Sequence, residues 1–336
     1  MSDARRLRWR LLLPRSLSRP RTTTPGPRRA TAAAPLALLA ALLLAVTACG
    51  GGDTGSEGAA ESSGSGAFPV TVTGSNGEVT LEEQPGSIVS LSPTATEMLF
   101  AIGAGDQVVA VDDYSTFPAD APVTDLSGFT PNAEAIAGYE PDLVVLSNDQ
   151  NGIVDALAEL AVPTLLLEAA GSVEDTYAQL ETLGEATGHA DEAADVAADV
   201  QERIAAAVAS VPDGVEGMSV YHELGPELYS VDSSTFVGSI YAMFGLENIA
   251  DGPGEAAGGY PQLSPEYVVG AAPDLVVLAD TKCCGESAAT LAQRPAFDTV
   301  PAVVEGRVLE ADDDIASRWG PRIADFAESV AEALQG

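Results

Sequence analysis

From Phe68 onward, short unbroken apolar runs alternate with stretches of helical period. Ile88–Leu91, Val108–Asp112, the DLVVL of residues 142–146, Pro163–Glu168, Met218–His222, Glu227–Val231, Pro273–Asp280 and Arg307–Glu310 are rich in apolar and β-branched residues. Runs that do not alternate with polar residues suit parallel strands buried on both faces. Between them, Ser92-Pro93-Thr94-Ala95-Thr96-Glu97 opens a helix: Pro93 fits the first helical position, and Thr94 with Glu97 fits a capping box. That helix is expected to end at Gly103 or Gly105. Further helices are expected over Phe236–Phe244, stopped by Gly245, and over Pro321–Leu334. Strand and helix in alternation predict an α/β fold with doubly wound parallel sheets.

One unit of this pattern is written twice. NAEAIAGYEPDLVVLSND (132–149) returns without gaps as SPEYVVGAAPDLVVLADT (264–281), so that Glu134 maps to Glu266 and Pro141 to Pro273. Each copy predicts a short helix with an acid in its first turn, where the helix dipole favours it. A proline then stops the helix, and a buried strand follows. Helices that lead into strands begin at the sheet edge where ligands bind. Glu134 and Glu266 are thus expected beside the binding face of two similar lobes, the product of an internal duplication.

Residues 172–211 carry only helical pattern. Val196, Val200, Ile204 and Val208 recur at four-residue spacing, which gives one apolar stripe on a helix that would span about 30 Å. The expected organisation is a leader over 1–49, a flexible tether over 50–67, an N-terminal α/β lobe over 68–171, a helical connector over 172–211 and a C-terminal α/β lobe over 212–336. A single stiff helix between the lobes predicts little hinge closure.

Charge is divided sharply along the chain. Nine of the 15 basic residues precede residue 30, leaving six against 49 acids from residue 50 onward. So acidic a surface repels nucleic acid and anionic membrane. The arginine-rich start, the apolar run Leu36–Val46 and the sequence Val46-Thr47-Ala48-Cys49 resemble a bacterial lipoprotein signal. That resemblance implies lipidation of Cys49 and an extracytoplasmic protein anchored to the cell membrane. The Gly/Ser/Glu/Asp stretch from Gly50 to Ala67 then acts as the tether.

The segments SIVSLSPTATEMLFAIGAGDQVVAVDDYSTFP (87–118), PDLVVL (141–146), LENIADG (246–252), YPQLSPEYVV (260–269) and SRWGPRIADF (317–326) carry a family likeness. Together they resemble the extracytoplasmic substrate-binding proteins of ABC importers for iron–siderophore, haem and cobalamin. The resemblance implies two lobes joined by one long helix, with the ligand in a cleft between them and no cofactor. It implies a chain that is monomeric until it docks, through Glu134 and Glu266, onto arginine pockets of the permease. It puts Ser92, Thr94, Tyr114, Asn148, Tyr221, His222, Tyr260, Arg318 and Trp319 on loops that touch the ligand, with Arg318 facing any negative charge there.

A ferric siderophore leads the expected ligands, followed by cobalamin and then haem. Two histidines, His189 and His222, are too few and too far apart for a bare zinc or manganese site. His222 as an axial or distal contact to haem or a corrinoid stays open beside a solvated strand-end histidine. Asp312-Asp313-Asp314 fits no calcium-loop spacing and reads as a solvated acidic loop. No nucleophile–base motif, metal cluster or phosphate loop supports an enzyme. Two rivals remain on the sequence: an enzyme using Cys283, and a surface lipoprotein without a ligand. Cys283 and Cys284 are adjacent, and an oxidising compartment makes a vicinal disulfide at the cleft rim the working expectation, with free thiols as the alternative.

Overall fold

The computed structural model describes residues 68–252 and 257–335; the leader, Cys49 and the tether lie outside them. In order, the first lobe runs β1 (Val70–Gly74), β2 (Gly77–Leu81), β3 (Ile88–Leu91), α1 (Pro93–Ala101), β4 (Val108–Val111), α2 (Ala133–Ala137), β5 (Leu143–Leu146), α3 (Ile153–Glu159) and β6 (Thr164–Leu166). Helices α4 (Val173–Thr187) and α5 (Ala190–Ser210) follow. The second lobe comprises β7 (Ser219–Glu223), α6 (Phe236–Met243), β8 (Glu247–Asn248), α7 (Pro265–Ala271), β9 (Leu275–Leu278), α8 (Thr281–Cys284), α9 (Ala288–Leu291), α10 (Pro301–Glu305), β10 (Val308–Glu310), α11 (Asp313–Ser317) and α12 (Ile323–Gln335).

The two main sheets have the same plan. The first is ordered β4-β3-β5-β6 and the second β8-β7-β9-β10, each wholly parallel. The repeated PDLVVL segments supply β5 and β9, in the same slot of each sheet. Both are buried at every position. Alternate residues enter different cores: Leu143 and Val145 pack on one side of the first sheet, Val144 and Leu146 on the other. Leu275 and Val277 are likewise separated from Val276 and Leu278. A strand covered on both faces must be apolar throughout, which is why the sequence shows runs rather than alternation. The duplication extends to the backbone. Glu140 and Ala272, each just before the proline, both adopt a left-handed φ of 51°.

The second connector helix belongs to both cores. Ala193 and Ala197 of α5 pack into the first lobe, whereas Val200, Ile204 and Ala207 pack into the second. Helix α4 lies tightly along it, because Gly184 leaves room where an added Cβ would come within 2.4 Å of the Ala193 Cβ. On its far half, Arg203 bridges α5 to Asp325 and Glu328 of α12 at 2.5 and 2.8 Å.

Two local expectations are corrected, and one element was not expected. Glu227–Val231 is not a strand: Leu228 turns with φ 63° and Tyr229 makes only an isolated bridge to Gln262, so β8 takes the sheet edge beside β7. The capping box of Thr94 and Glu97 does not form; Ser92 caps α1 by accepting from the Ala95 amide. The hairpin β1–β2 was not anticipated, and its turn residue Asn76 docks it onto β6 through the Thr164 carbonyl and the Leu166 amide.

Candidate functional site

The C-terminal ends of β3, β4 and β5 carry Ser92, Asp112, Ser147 and Asn148 to one edge, and the end of α11 with the turn after it brings Ser317, Arg318 and Trp319 against them. Between these groups lies a cavity of about 290 Å³ that also takes in Thr94, Tyr114, Phe129 and Asp314. A second hollow of about 340 Å³, lined among others by Tyr260, Leu224, Val231 and Phe236, shares Ser317 and Trp319 with it. The two are adjoining halves of one cleft, at the sheet edge where open α/β folds bind ligands.

Seven of the nine residues expected at the ligand line this cleft. Tyr114 is 54% exposed and meets Phe129, 62% exposed, edge to face at 5.2 Å. Exposed aromatics paired at a cavity mouth present an apolar surface without a partner of their own. Trp319 is clasped from behind: its indole N–H donates to Gln179 at 3.0 Å and its carbonyl accepts from Thr176 at 2.9 Å. Ser92 and Thr94 are almost fully buried and offer little surface. Asn148 lines the cavity, and its carboxamide oxygen is buried without a protein partner.

Tyr221 and His222 are corrected. Both are wholly buried inside the second lobe, because β7 runs one residue past the expected end, to Glu223, and they lie within the strand rather than at its open end. His222 Nδ1 is 2.6 Å from the Tyr241 hydroxyl, beside Phe326. Burial lowers its pKa to about 3. A neutral imidazole sealed in the core cannot serve as an axial contact to a ligand in the cleft.

Arg318 reaches the cavity, but its charge is already engaged. The Glu97 carboxylate, on α1 of the first lobe, is only 2% exposed. It accepts from Arg318 Nη1 at 2.8 Å and from Arg322 Nε and Nη2 at 2.8 and 2.5 Å. Arg318 also donates to Asp314 at 2.8 Å and to the Tyr114 carbonyl at 3.1 Å. Glu97, Arg322, Asp112, Asp314 and Phe129 were not expected at the site; the sequence offered Glu97 only as a capping residue and Asp314 only as part of a solvated acidic loop. The one signal that could have found the pairing is SRWGPR, which sets two arginines four residues apart.

A second charged cluster closes the same edge of the other sheet. Glu223, at the end of β7 and fully buried, receives Arg294 through both oxygens at 2.7 and 2.5 Å and the Tyr221 hydroxyl at 2.8 Å. Arg294 also holds Glu286 at 2.8 Å. Asp280, which the repeat aligns with Asn148, is buried with neither carboxylate oxygen bonded. Desolvation, with repulsion from Glu223 and Glu286, pushes its pKa up to about 7.

Glu134 and Glu266 are exposed in the first turns of α2 and α7, whose caps are the side chains of Asn132 and Ser264. Cys283 and Cys284 are exposed on α8 as a vicinal disulfide. The acidic run Asp312–Asp314 is less solvated than expected. Asp312 and Asp314 hold Lys282, the one lysine of the chain, at 2.6 and 3.2 Å, and Asp313 accepts from the amides of Lys282 and Cys283. Among the described residues no cluster of histidine, cysteine or carboxylate side chains is arranged to hold a metal ion.

Comparison with known proteins agrees with this architecture. The family model described as periplasmic binding protein matches residues 88–315. An uncharacterized ABC transporter substrate-binding lipoprotein of Bacillus subtilis is 30% identical over 277 residues, covering 80% of this chain and 86% of that one. A cobalamin-binding protein of Halobacterium salinarum is 30% identical over 276 residues, with 80% and 74% covered. Among solved structures, the periplasmic vitamin B12 binding protein of Vibrio cholerae superposes with a TM-score of 0.62 at 22% identity, over 75% of this chain and 97% of its own. The periplasmic haem-binding protein of Roseiflexus superposes at 0.64 and 24% identity, over 74% and 97%. The chain therefore belongs to the periplasmic binding protein family and is a binding protein rather than an enzyme, with two α/β lobes and the cleft between them.

Proposed function

We propose that this protein is the substrate-binding component of an ABC importer, lipid-anchored outside the cytoplasmic membrane, and that it captures a corrinoid such as cobalamin for a permease. The observation that carries this reading is the wall of the cleft. Tyr114 and Phe129 face the opening from one lobe, Trp319 and Tyr260 from the other, and Arg318, the arginine that lines the cleft, is paired with Glu97 and Asp314. Such a wall suits a large ligand with apolar faces and no net charge. Curated relatives matched over about 80% of the chain include proteins named for cobalamin binding, and these names move a corrinoid ahead of the ferric siderophore that leads on sequence alone. An uncharged ferric hydroxamate is the second reading, since it would suit the same wall.

A soluble form beginning after Cys49, titrated by calorimetry with cyanocobalamin, haemin and a ferric hydroxamate, tests the proposal. Saturable binding of cyanocobalamin, tightest of the three, is expected. Binding of zinc or manganese alone at about micromolar affinity, with no chelate bound, would overturn it.

The anchor has its own test. Cys49→Ala should abolish labelling by radioactive palmitate and move the protein to the soluble fraction; a variant that stays labelled and membrane-bound refutes lipidation. For Cys283 and Cys284, intact mass should rise by about two daltons on reduction, the two hydrogens gained when a disulfide becomes two thiols. An unchanged mass means free thiols.

A further inference from the structure

We infer that Glu97 determines the charge class of ligand the cleft accepts: by holding Arg318 and Arg322 it leaves surplus carboxylate at the cavity, which then admits uncharged ligands and rejects anions. The inference rests on the proposed reading of the cleft as the ligand site and names what that site selects.

Arginines at a binding cleft ordinarily read as anion receptors, because a planar guanidinium meets carboxylates and other oxyanions with two hydrogen bonds. Here those hydrogen bonds are already made. Arg318, 11% exposed, has Nη1 on Glu97 and Nη2 on Asp314 and the Tyr114 carbonyl. Arg322, 18% exposed, turns both Nε and Nη2 onto Glu97. Its free face lies over the Phe117 ring at 4.1 Å. The Glu97 contacts raise the pKa of Arg322, so its proton stays on. Asp112 also lines the cavity and keeps its carboxylate on Ser115 rather than on a cation, at 2.5 Å.

Asp112, Asp314 and Arg318 line the cavity; with Glu97 and Arg322 behind them and Lys282, which Asp314 shares with Asp312, four carboxylates stand against three cations at this end of the cleft. An anion entering it finds no free donor fork and two acidic side chains, Asp112 and Asp314, in the lining. Like charges brought together in a partly desolvated site oppose binding strongly. An uncharged ligand meets the aromatic wall without that repulsion.

A purely structural role for Glu97, as a bolt between lobes, would alter affinity for all ligands alike. A charge-selecting role alters their ratio, and the ratio is what the test reads. Affinities for cyanocobalamin and for a trianionic ferric tris-catecholate are measured by calorimetry on the wild type, on Glu97→Gln and on Asp314→Asn. Asp314→Asn is the milder change, since it keeps all three Glu97 contacts and serves if Glu97→Gln does not fold. In the wild type the tris-catecholate should bind at least about a hundredfold more weakly than cyanocobalamin. Glu97→Gln should narrow that gap by about tenfold or more, with affinity for the anion falling as salt rises, and Asp314→Asn should narrow it less. A wild type that binds the trianion as tightly as the uncharged ligand overturns the inference, and so does an unchanged ratio in the folded variants. If the wild type binds no cyanocobalamin, the corrinoid reading fails by itself. The same ratio is then taken between the tris-catecholate and an uncharged ferric hydroxamate, and it decides the role of Glu97 separately.

Discussion

Uptake of the ligand by intact cells should almost disappear when Glu134 and Glu266 are both changed to alanine, while the purified variant binds its ligand as before. Both side chains are exposed, on helices that precede the identical strands β5 and β9, so they occupy equivalent places on two lobes of the same plan. A permease of two similar halves would meet them as a pair and thereby centre the cleft over its path. Each carboxylate, desolvated against an arginine, would be worth roughly 2–5 kcal/mol, and much less at a wet rim. Either single change should reduce uptake several-fold. The fold should hardly notice, because an exposed first-turn acid contributes about 0.3–1 kcal/mol and the caps Asn132 and Ser264 remain. Full uptake by a double variant with normal ligand affinity would remove the docking role and leave the two acids as helix-start residues.

The largest loss of stability should follow Arg294→Ala. The change strips Glu223, wholly buried, of a two-pronged partner and leaves it the Tyr221 hydroxyl. Removing one member of a buried ion pair typically costs 3–5 kcal/mol, and denaturant unfolding should register a loss of about that size. Asp280 beside it makes the cluster sensitive to pH. Its folded pKa is pushed up to about 7 from an ordinary value near 4. Between those values the folded state holds a proton that the unfolded state has released, so this contribution is full in acid and disappears as pH rises through 7. His222 runs the other way. With its pKa lowered to about 3, the neutral ring's contribution is full above about 6.5 and is lost as pH falls below that. Asp280→Asn should therefore raise stability at pH 8 relative to the wild type and leave the acid-side loss in place. Equal unfolding curves for the two proteins at pH 8 would show that Asp280 does not carry that charge in the fold.

The sheets were readable because strands buried on both faces have to be apolar at successive positions, and the repeat announced that one lobe is built like the other. Helix α5 was readable from its four-residue apolar stripe, although that pattern could not reveal that one end serves the first core and the other end the second. The site was legible less evenly. Tyr114, Asn148, Tyr260, Arg318 and Trp319 come to the cleft because each follows a strand or helix end. Tyr221 and His222 do not, and a shift of one residue in where β7 stops decides the matter. Glu97 was read as a partner for its own helix start, a local interaction visible at short spacing. Its true partners lie more than 200 residues away, and no local pattern records such a pairing. The hairpin β1–β2 was legible in hindsight, with alternating Val72, Val79 and Leu81 around an Asn-Gly turn.

Trp319 has a consequence for how such experiments can be done. The chain holds two tryptophans, and the other, Trp9, is in the proposed leader. In a soluble form beginning after Cys49, Trp319 is the sole indole, fixed at Nε1 by Gln179 and standing where both halves of the cleft meet. Fluorescence excited near the red edge of the aromatic band then comes from one address. Any coloured macrocycle or ferric chelate seated there would drain that emission by energy transfer, while a solute on the outer surface would leave it bright. The molecule carries its own unlabelled occupancy gauge, built into the wall that it reports on.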